Sequence, residues 1–419
     1  MRFVDERAHL KEVMEGFGVP LAEANSSARI ASLKARLQKA GAEVRNDGKS
    51  VAYGALSPAC ERCRTGVKSV SEFISLACNQ SCWFCFNPNQ HDYQQYRTTR
   101  KDWSEELKAY CDRMDGLDYV ALTGGEPLLF QEETLDFFRT ARAMNPSSHL
   151  RLYTSGYMLD EPMLSSLAEA GLTEIRFSIK LDEPPSAQSQ ALDRIRAARS
   201  IIPQVMVEMP VIPGTHDAMS RLLRYLDEAG IFGINLLELC FPLHNAEAYR
   251  KRGLTLKPDP YRIPYDYGYA GALPVAGSEE LALSLMLEEI ERGTTLGLHY
   301  CSLENKNTAQ IYAQNRGGER AIPHYRFSEK TFFYETVRAF DDDALYLAEC
   351  LSALGADYAT DDTVSLIMFD PIILKDLPCE AFERKLFLAS GIIEESEEGK
   401  RFREVGLELV EPEDQERWV

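Results

Sequence analysis

Cys78, Cys82 and Cys85 fall within the short stretch Leu76–Phe86, with three residues in the first gap and two in the second. Three thiolates this close on one loop can hold three corners of a cubane iron–sulfur cluster. With no fourth cysteine nearby, one iron keeps an open coordination position. An iron with a vacancy can bind a small molecule and pass it an electron, which a fully ligated carrier cannot do. The spacing alone also admits a structural zinc site, where paired cysteines or mixed Cys/His ligands are usual.

A second element lies about 40 residues on (a distance within one strand–helix unit). Thr123-Gly-Gly-Glu-Pro127 follows the apolar run Tyr119–Leu122 and precedes a helical segment. Two glycines at a strand end let the backbone approach a ligand closely. Exposed carbonyls and the Glu126 carboxylate are acceptors suited to an ammonium group. An ordinary strand-to-helix turn needs no such Glu. The cysteine triad, with Phe84 directly before its third member, together with Gly124-Gly125-Glu126-Pro127 resembles the radical S-adenosylmethionine (radical SAM) superfamily.

That resemblance implies a [4Fe-4S] cluster on Cys78, Cys82 and Cys85, the catalytic and metal-binding set, with SAM chelated at the open iron. Reductive cleavage of SAM then gives a 5′-deoxyadenosyl radical that abstracts hydrogen from a substrate. Phe84 is expected against the adenine. Gly124, Gly125 and Glu126 are expected at the methionyl ammonium. Ser155, in the small polar strand end Thr154-Ser155-Gly156, suits a ribose or carboxylate. In the superfamily a Ser with a basic neighbour on the next strand commonly serves the methionyl carboxylate, and Ser178 with Lys180 fits that role; a solvated strand end is the plain alternative. Alternation places Arg176, Ser178 and Lys180 on one face of their strand. Glu208 is a further candidate facing the interior, and at most one of Asn235 and Glu238 is expected to join it, since residues three apart on a strand face opposite ways unless a bulge intervenes.

These loops need a scaffold. Strand-like runs at Val70–Ala77, Asp118–Thr123, His149–Thr154, Glu174–Lys180, Gln204–Val211 and Gly233–Leu239 alternate with helix-period segments such as Glu132–Ala143, Glu161–Ala170, Leu192–Arg199 and Met219–Ala229. The alternation predicts an α/β fold, a parallel sheet with helices outside. Right-handed crossovers curl it toward a barrel. The resemblance sharpens this to a partial (β/α)6 TIM-like barrel with its site at the strand C-terminal ends, where both marked loops fall. The expected divisions are an N-terminal extension over residues 1–68, the barrel over 69–300, and a small α+β domain over 301–419. In the last, Asp341–Leu354 and Glu380–Ala389 read as helices, and Lys330–Ala339, Val364–Asp370 and Val405–Val410 as strands. The long connection Gly253–Gly277, with Tyr261, Tyr265, Tyr267 and Tyr269, reads as a cap over the site or a linker.

A second cysteine group comprises Cys60-Glu-Arg-Cys63 and His299-Tyr-Cys301. A Cys-x-x-Cys pair is half of a common zinc or iron site, and Cys301 or His299 would complete it. Buried unligated thiols are the alternative. The same segments, with Asn235–Leu239 and Asn245, resemble a subgroup related to pyruvate formate-lyase activating enzymes. The net charge of −19, from 65 acidic and 46 basic residues, argues against nucleic-acid binding through a basic surface. No stretch approaches a membrane span, no secretory signal opens the chain, and ten cysteines suit metal ligation in a reducing compartment. A cytoplasmic enzyme is expected, with a one-electron donor such as flavodoxin or ferredoxin. Its substrate is first expected to be a protein or peptide, with a small metabolite second. An iron–sulfur or zinc electron-transfer or scaffold protein without SAM chemistry is the reading of another class.

Overall fold

A computed structural model describes residues 11–258, 272–316, 324–363, 365–396 and 399–410. Its larger unit takes in the described residues up to Ala309. The strands of its main sheet are β1 (Glu43–Arg45), β2 (Ser50–Tyr53), β3 (Ser69–Phe73), β4 (Tyr119–Thr123), β5 (His149–Thr154), β6 (Glu174–Phe177), β7 (Gln204–Val211) and β8 (Gly233–Glu238). A two-stranded ribbon of β9 (Cys240–Phe241) and β10 (Leu273–Pro274) follows, and β11 (Gly297–Cys301) returns to the sheet.

The order is β1-β2-β11-β8-β7-β6-β5-β4-β3. From β3 through β8 to β11 every pairing is parallel, while β2 pairs antiparallel with both β1 and β11. The mostly parallel sheet and its crossover helices confirm the α/β reading. The expectation missed β11, the seventh parallel strand, and the two strands that the N-terminal segment adds beside it. Among the described residues β1 and β3 do not pair with each other, so the curled sheet stays open.

Strands covered on both faces read as continuous apolar runs, and Val120, Ala121 and Leu122 of β4 are all fully buried. The crossover helices bury one stripe each. Gln131–Met144 turns Leu135, Phe137, Phe138 and Ala141 inward; each phenyl ring so buried contributes about 2–3 kcal/mol. Asp160 caps Glu161–Glu169 by accepting from the Met163 amide at 2.8 Å, with Pro162 in the first turn where a missing N–H costs nothing. Such caps are worth about 1 kcal/mol.

Two expected strands end early, and both truncations build the site. β3 stops at Phe73 because Ser75 turns the chain: its hydroxyl donates to the Tyr96 carbonyl (2.7 Å) and accepts from the Ala77 amide (3.1 Å). β6 stops at Phe177, leaving Ser178–Lys180 as an exit loop.

The second unit takes in the described residues from Gln310 onward. Strands β12 (Arg326–Phe327), β13 (Tyr334–Phe340), β14 (Tyr358–Asp361), β15 (Leu366–Phe369), β16 (Phe387–Ser396) and β17 (Gly399–Leu409) form an antiparallel sheet. The helix Asp341–Leu354 packs on it. The helix expected over Glu380–Ala389 is instead a short 3-10 turn, Cys379–Glu383, followed by β16. The run Phe387–Ile393 is apolar without a helical period, and β13 and β17 take up its backbone on both sides. The tyrosines of the connection 253–277 lie outside the described residues. No helix among the described residues is long and apolar enough to cross a membrane.

Candidate active site

The loops leaving β3, β4, β5 and β6 meet at the C-terminal edge of the sheet. The Gly125 amide donates to the Ser75 carbonyl (3.1 Å) and the Glu126 amide to the Ala77 carbonyl (2.8 Å). This ties Gly124-Gly125-Glu126 to the stem of the cysteine loop. The approach is as close as backbone allows: a Cβ at residue 125 would lie 1.9 Å from the Ala77 oxygen. Gly124 also has φ +112°, which side chains other than glycine's rarely adopt. Asn87, just past the third cysteine, donates its side-chain amide to the Gly124 carbonyl (2.7 Å).

Glu126 is buried. Its Oε1 accepts from the Leu128 amide (3.2 Å) and the Thr154 hydroxyl (2.7 Å). Its Oε2 accepts from the Ser155 amide (2.8 Å) and hydroxyl (2.5 Å). A carboxylate offers about four lone-pair sites, and all four are engaged. Glu126 therefore joins the β4 loop to the β5 loop. Ser155, expected to meet a ribose or carboxylate, is one of its donors.

Cys78 is exposed, and Cys82 and Cys85 are half-buried. Burial pushes all three thiols above their ordinary range, Cys85 to about 11, while Lys180 pulls each back. Lys180 hydrogen-bonds Gln80 and lies 3.5 Å from Glu183. Beside it, the Trp83 indole donates to Asp182 (3.1 Å). Trp83 in turn packs edge-on against Phe84 (5.1 Å) and Tyr249 (4.8 Å), under the Arg252 guanidinium (4.2 Å). Ser178 is exposed, with its amide bonded to the Thr154 carbonyl (3.0 Å).

This donor set fits a cubane better than a single ion. Among the described residues no three Cys, His, Asp or Glu side chains are gathered to hold one ion. A cubane takes each thiolate on a different iron, so its ligands need not converge on a point. The double glycine lets the β4 loop pack directly on the Ser75–Ala77 backbone that leads into the cysteines.

Below this edge the concave face carries a buried charged network. Arg176 pairs with Glu174 and with Glu208 (2.6 Å). Glu174 accepts from Ser57 (2.6 Å) and contacts His149 (2.9 Å). Asn235 donates to Glu208 (2.7 Å) and contacts His299 Nδ1 (2.9 Å), whose Nε2 contacts Ser50 (2.9 Å). Register accounts for this chain of contacts, because Glu208, Asn235 and His299 lie side by side on β7, β8 and β11. Burial opposes the charges on Glu174 and Glu208, but Arg176 together with the hydrogen bonds from His149 and Ser57 to Glu174 and from Asn235 to Glu208 holds both below the usual carboxylate range. Of the pair expected to supply at most one residue here, Asn235 joins the network, while Glu238 pairs with Lys257 (2.5 Å) and accepts from the Leu303 amide (2.9 Å).

The second cysteine group adjoins this network. The Cys60 sulfur accepts from Arg176 (3.3 Å) and Asn235 (3.5 Å), and Asn305 donates to Cys301 (3.3 Å) and Cys63 (3.8 Å). Burial raises Cys63 to about 11 and Cys301 to about 12. At Cys60 burial is outweighed by Arg176 and His299, which draw it down to about 6. The three sulfurs are not arranged around a common ion.

Sequence reasoning missed Gln80, Asp182 and Asn305, whose contacts span 100, 99 and 242 residues and leave no local mark. Asn87 had a signal, since Asn-Pro opens a turn.

Residues 73–226 match the model of the radical SAM superfamily. A Methanocaldococcus jannaschii protein provisionally named a glycyl-radical enzyme activating enzyme is 28% identical over 355 residues, 80% of this chain and 87% of that protein. A GTP 3′,8-cyclase of Aliarcobacter butzleri is 27% identical over 173 residues, covering 41% of this chain and 45% of the cyclase. Streptococcus suis SuiB, solved bound to precursor peptide SuiA, aligns with TM-score 0.35 and 12% identity over 57% of this chain and 52% of SuiB, too distant to carry an argument. Residues 73–226 thus match a radical SAM domain, and the protein is an enzyme. Such a domain implies a [4Fe-4S] cluster, SAM and an electron donor.

Proposed function

We propose that this enzyme uses SAM-based radical chemistry on a polypeptide, in the manner of an activator of a glycyl-radical partner. Cys78, Cys82 and Cys85 would hold the cluster. Gly124 and Gly125 would admit SAM against the backbone, Glu126 would keep the β4 and β5 loops in register, and Phe84 would give the adenine an apolar wall. Ser178, exposed at the mouth with its hydroxyl donating at 3.4 Å to the Glu208 carbonyl, would turn to the methionyl end. When bound, the cluster and SAM supply a 5′-deoxyadenosyl radical on accepting an electron from a flavodoxin- or ferredoxin-type donor.

The observation that carries the polypeptide reading is the paired network beneath the site. Arg176, Glu174, Glu208, Asn235 and His299 already satisfy one another across the concave face. A buried charge without a partner is costly, so this floor offers little to a small polar substrate. An extended segment laid across the strand ends needs no such floor. The M. jannaschii relative's name points the same way. The GTP cyclase likeness supports a small metabolite as the second reading, over less than half of either chain. An electron carrier without SAM chemistry needs no double-glycine approach beside its cysteines and is not favoured.

Anaerobically reconstituted enzyme is expected to release 5′-deoxyadenosine with dithionite and SAM, and Cys82→Ala to abolish it. With extract from deuterium-grown cells, the deuterium recovered in 5′-deoxyadenosine should come from the polypeptide fraction. Label drawn from the low-molecular-weight fraction would select the metabolite reading. For the second cysteine group we favour hydrogen-bonded thiols over a second zinc or iron. Metal analysis of Cys60→Ser/Cys63→Ser should then match wild type, and loss of one equivalent would restore the metal.

A further inference from the structure

We propose that Arg151 is a substrate-binding residue, its guanidinium held on the concave face for one carboxylate of the polypeptide on which the enzyme acts. The inference rests on the polypeptide reading above and names the group by which that polypeptide is gripped.

Arg151 lies on β5, level with Ala121 on β4 and Glu174 on β6. It therefore shares the inward face of the buried network but stands outside the network itself. A guanidinium carries five N–H donors and no acceptor. At Arg176 they go to Glu174, Glu208, Ser57 and Cys60. Arg151 is only 7% exposed, yet its one hydrogen bond among the described residues is to the Tyr153 hydroxyl at 3.4 Å, long for such a bond. Its Nε is sealed from solvent and has no partner. Glu174, beside it in register, has given Oε1 to Arg176 and Oε2 to Ser57 and His149.

A cation so buried and so thinly bonded costs the folded chain free energy, and a ligand that brings the counter-charge recovers it. Tyr153 steadies the side chain without consuming its donors: the ring stands 5.8 Å from the Arg151 guanidinium and 5.3 Å from that of Arg176, within cation–π range. The unused fork matches a carboxylate in bidentate geometry. A single negative charge balances the one unpaired cation, whereas a phosphate dianion would overshoot it beside Glu174. The position also suits a ligand entering from the cysteine edge. Arg151 lies three residues before the end of β5, about 10 Å along a strand, and that strand delivers Ser155 to Glu126.

Reconstituted enzyme with dithionite and SAM would be given the polypeptide fraction of deuterium-grown cells, untreated or with its carboxyl groups amidated by carbodiimide and glycinamide. Deuterium transfer into 5′-deoxyadenosine is expected to fall about tenfold or more on amidation, as loss of charged hydrogen bonds requires. Acetylation of the same fraction's amines, which also removes charge, should leave transfer near the untreated rate. Arg151→Met should lose a similar factor with the untreated fraction and little more on amidation, and Arg151→Lys, which keeps the charge without the fork, should fall between. Transfer indifferent to amidation overturns the proposal while leaving the polypeptide reading in place. Equal losses on amidation and acetylation, or wild-type transfer by Arg151→Met, overturn it too. The amidation arm uses wild-type enzyme alone, so it decides the matter even where a variant does not fold. Label that instead comes from the low-molecular-weight fraction, and is lost when that fraction is amidated, would keep Arg151 as a carboxylate site and overturn the polypeptide reading.

Discussion

Glu126 and Cys60 show how much a single buried charge can organise. Glu126 answers four donors from two loops, so Glu126→Ala strands a set of buried N–H and O–H groups. The expected cost is about 3 kcal/mol, seen as a lower denaturation midpoint of the cluster-free protein, together with weaker SAM binding as the loops part. Thr154→Val, which removes one of the four donors and takes the acceptor from the Gly156 amide, should cost less than loss of the carboxylate. Cys60 makes a pH prediction. Its thiol falls from 9.0 to about 6 on folding because Arg176 and His299 outweigh burial. A group whose folded pKa is depressed stabilises fully above its unfolded pKa, and that contribution is lost as pH falls through the folded value. The increment should therefore grow from pH 6 toward pH 9 in urea melts of wild type and vanish from the profile of Cys60→Ser. A thiolate absorbance titration with no midpoint near 6 would contradict it.

Among the elements, the turn after β4 is the most constrained. Gly125→Ala would place a methyl 1.9 Å from the Ala77 oxygen, so the two loops must separate. Iron retention after reconstitution is expected to fall severalfold, while Gly16→Ala, with nothing within 4 Å, should match wild type. The six central strands were legible because an apolar run or a polar–apolar alternation sets each one between turn signals. So were the three cysteines and the Gly-Gly-Glu-Pro turn, whose chemistry is local. β11 was not, since His299 and Cys301 drew attention as ligands and hid a strand of the sheet. β1 and β2 are too short to show alternation. The strand over Phe387–Ser396 was misread as helical at its start because a run apolar on both faces has no period to read. The role of Glu126 as a tie between loops was illegible for another reason: its partners Thr154 and Ser155 come 28 and 29 residues later.

At the scale of the whole barrel unit, the buried network on the concave face is a chain of charges that stand only together. Arg176 is the member shared by two carboxylates. Arg176→Met leaves Glu174 and Glu208 buried without their cation, at an expected cost of about 3–5 kcal/mol. Because burial favours the protonated acid once the cation is gone, that cost should shrink as pH is lowered; chemical denaturation of wild type and variant at two pH values measures the difference. A cost that stays constant with pH would mean that the carboxylates have found other partners.

The pairing of β2 with β11 joins Ser50–Tyr53 to Leu298–Cys301, segments separated by most of the barrel. During synthesis the early hairpin therefore waits with one unpaired edge until all the parallel strands between it and β11 have emerged from the ribosome. An unpaired edge is a template for wrong partners, and contacts this distant along the chain form slowly. Heterologous production should accordingly gain soluble yield from slower translation or lower temperature, even where the finished molecule is stable.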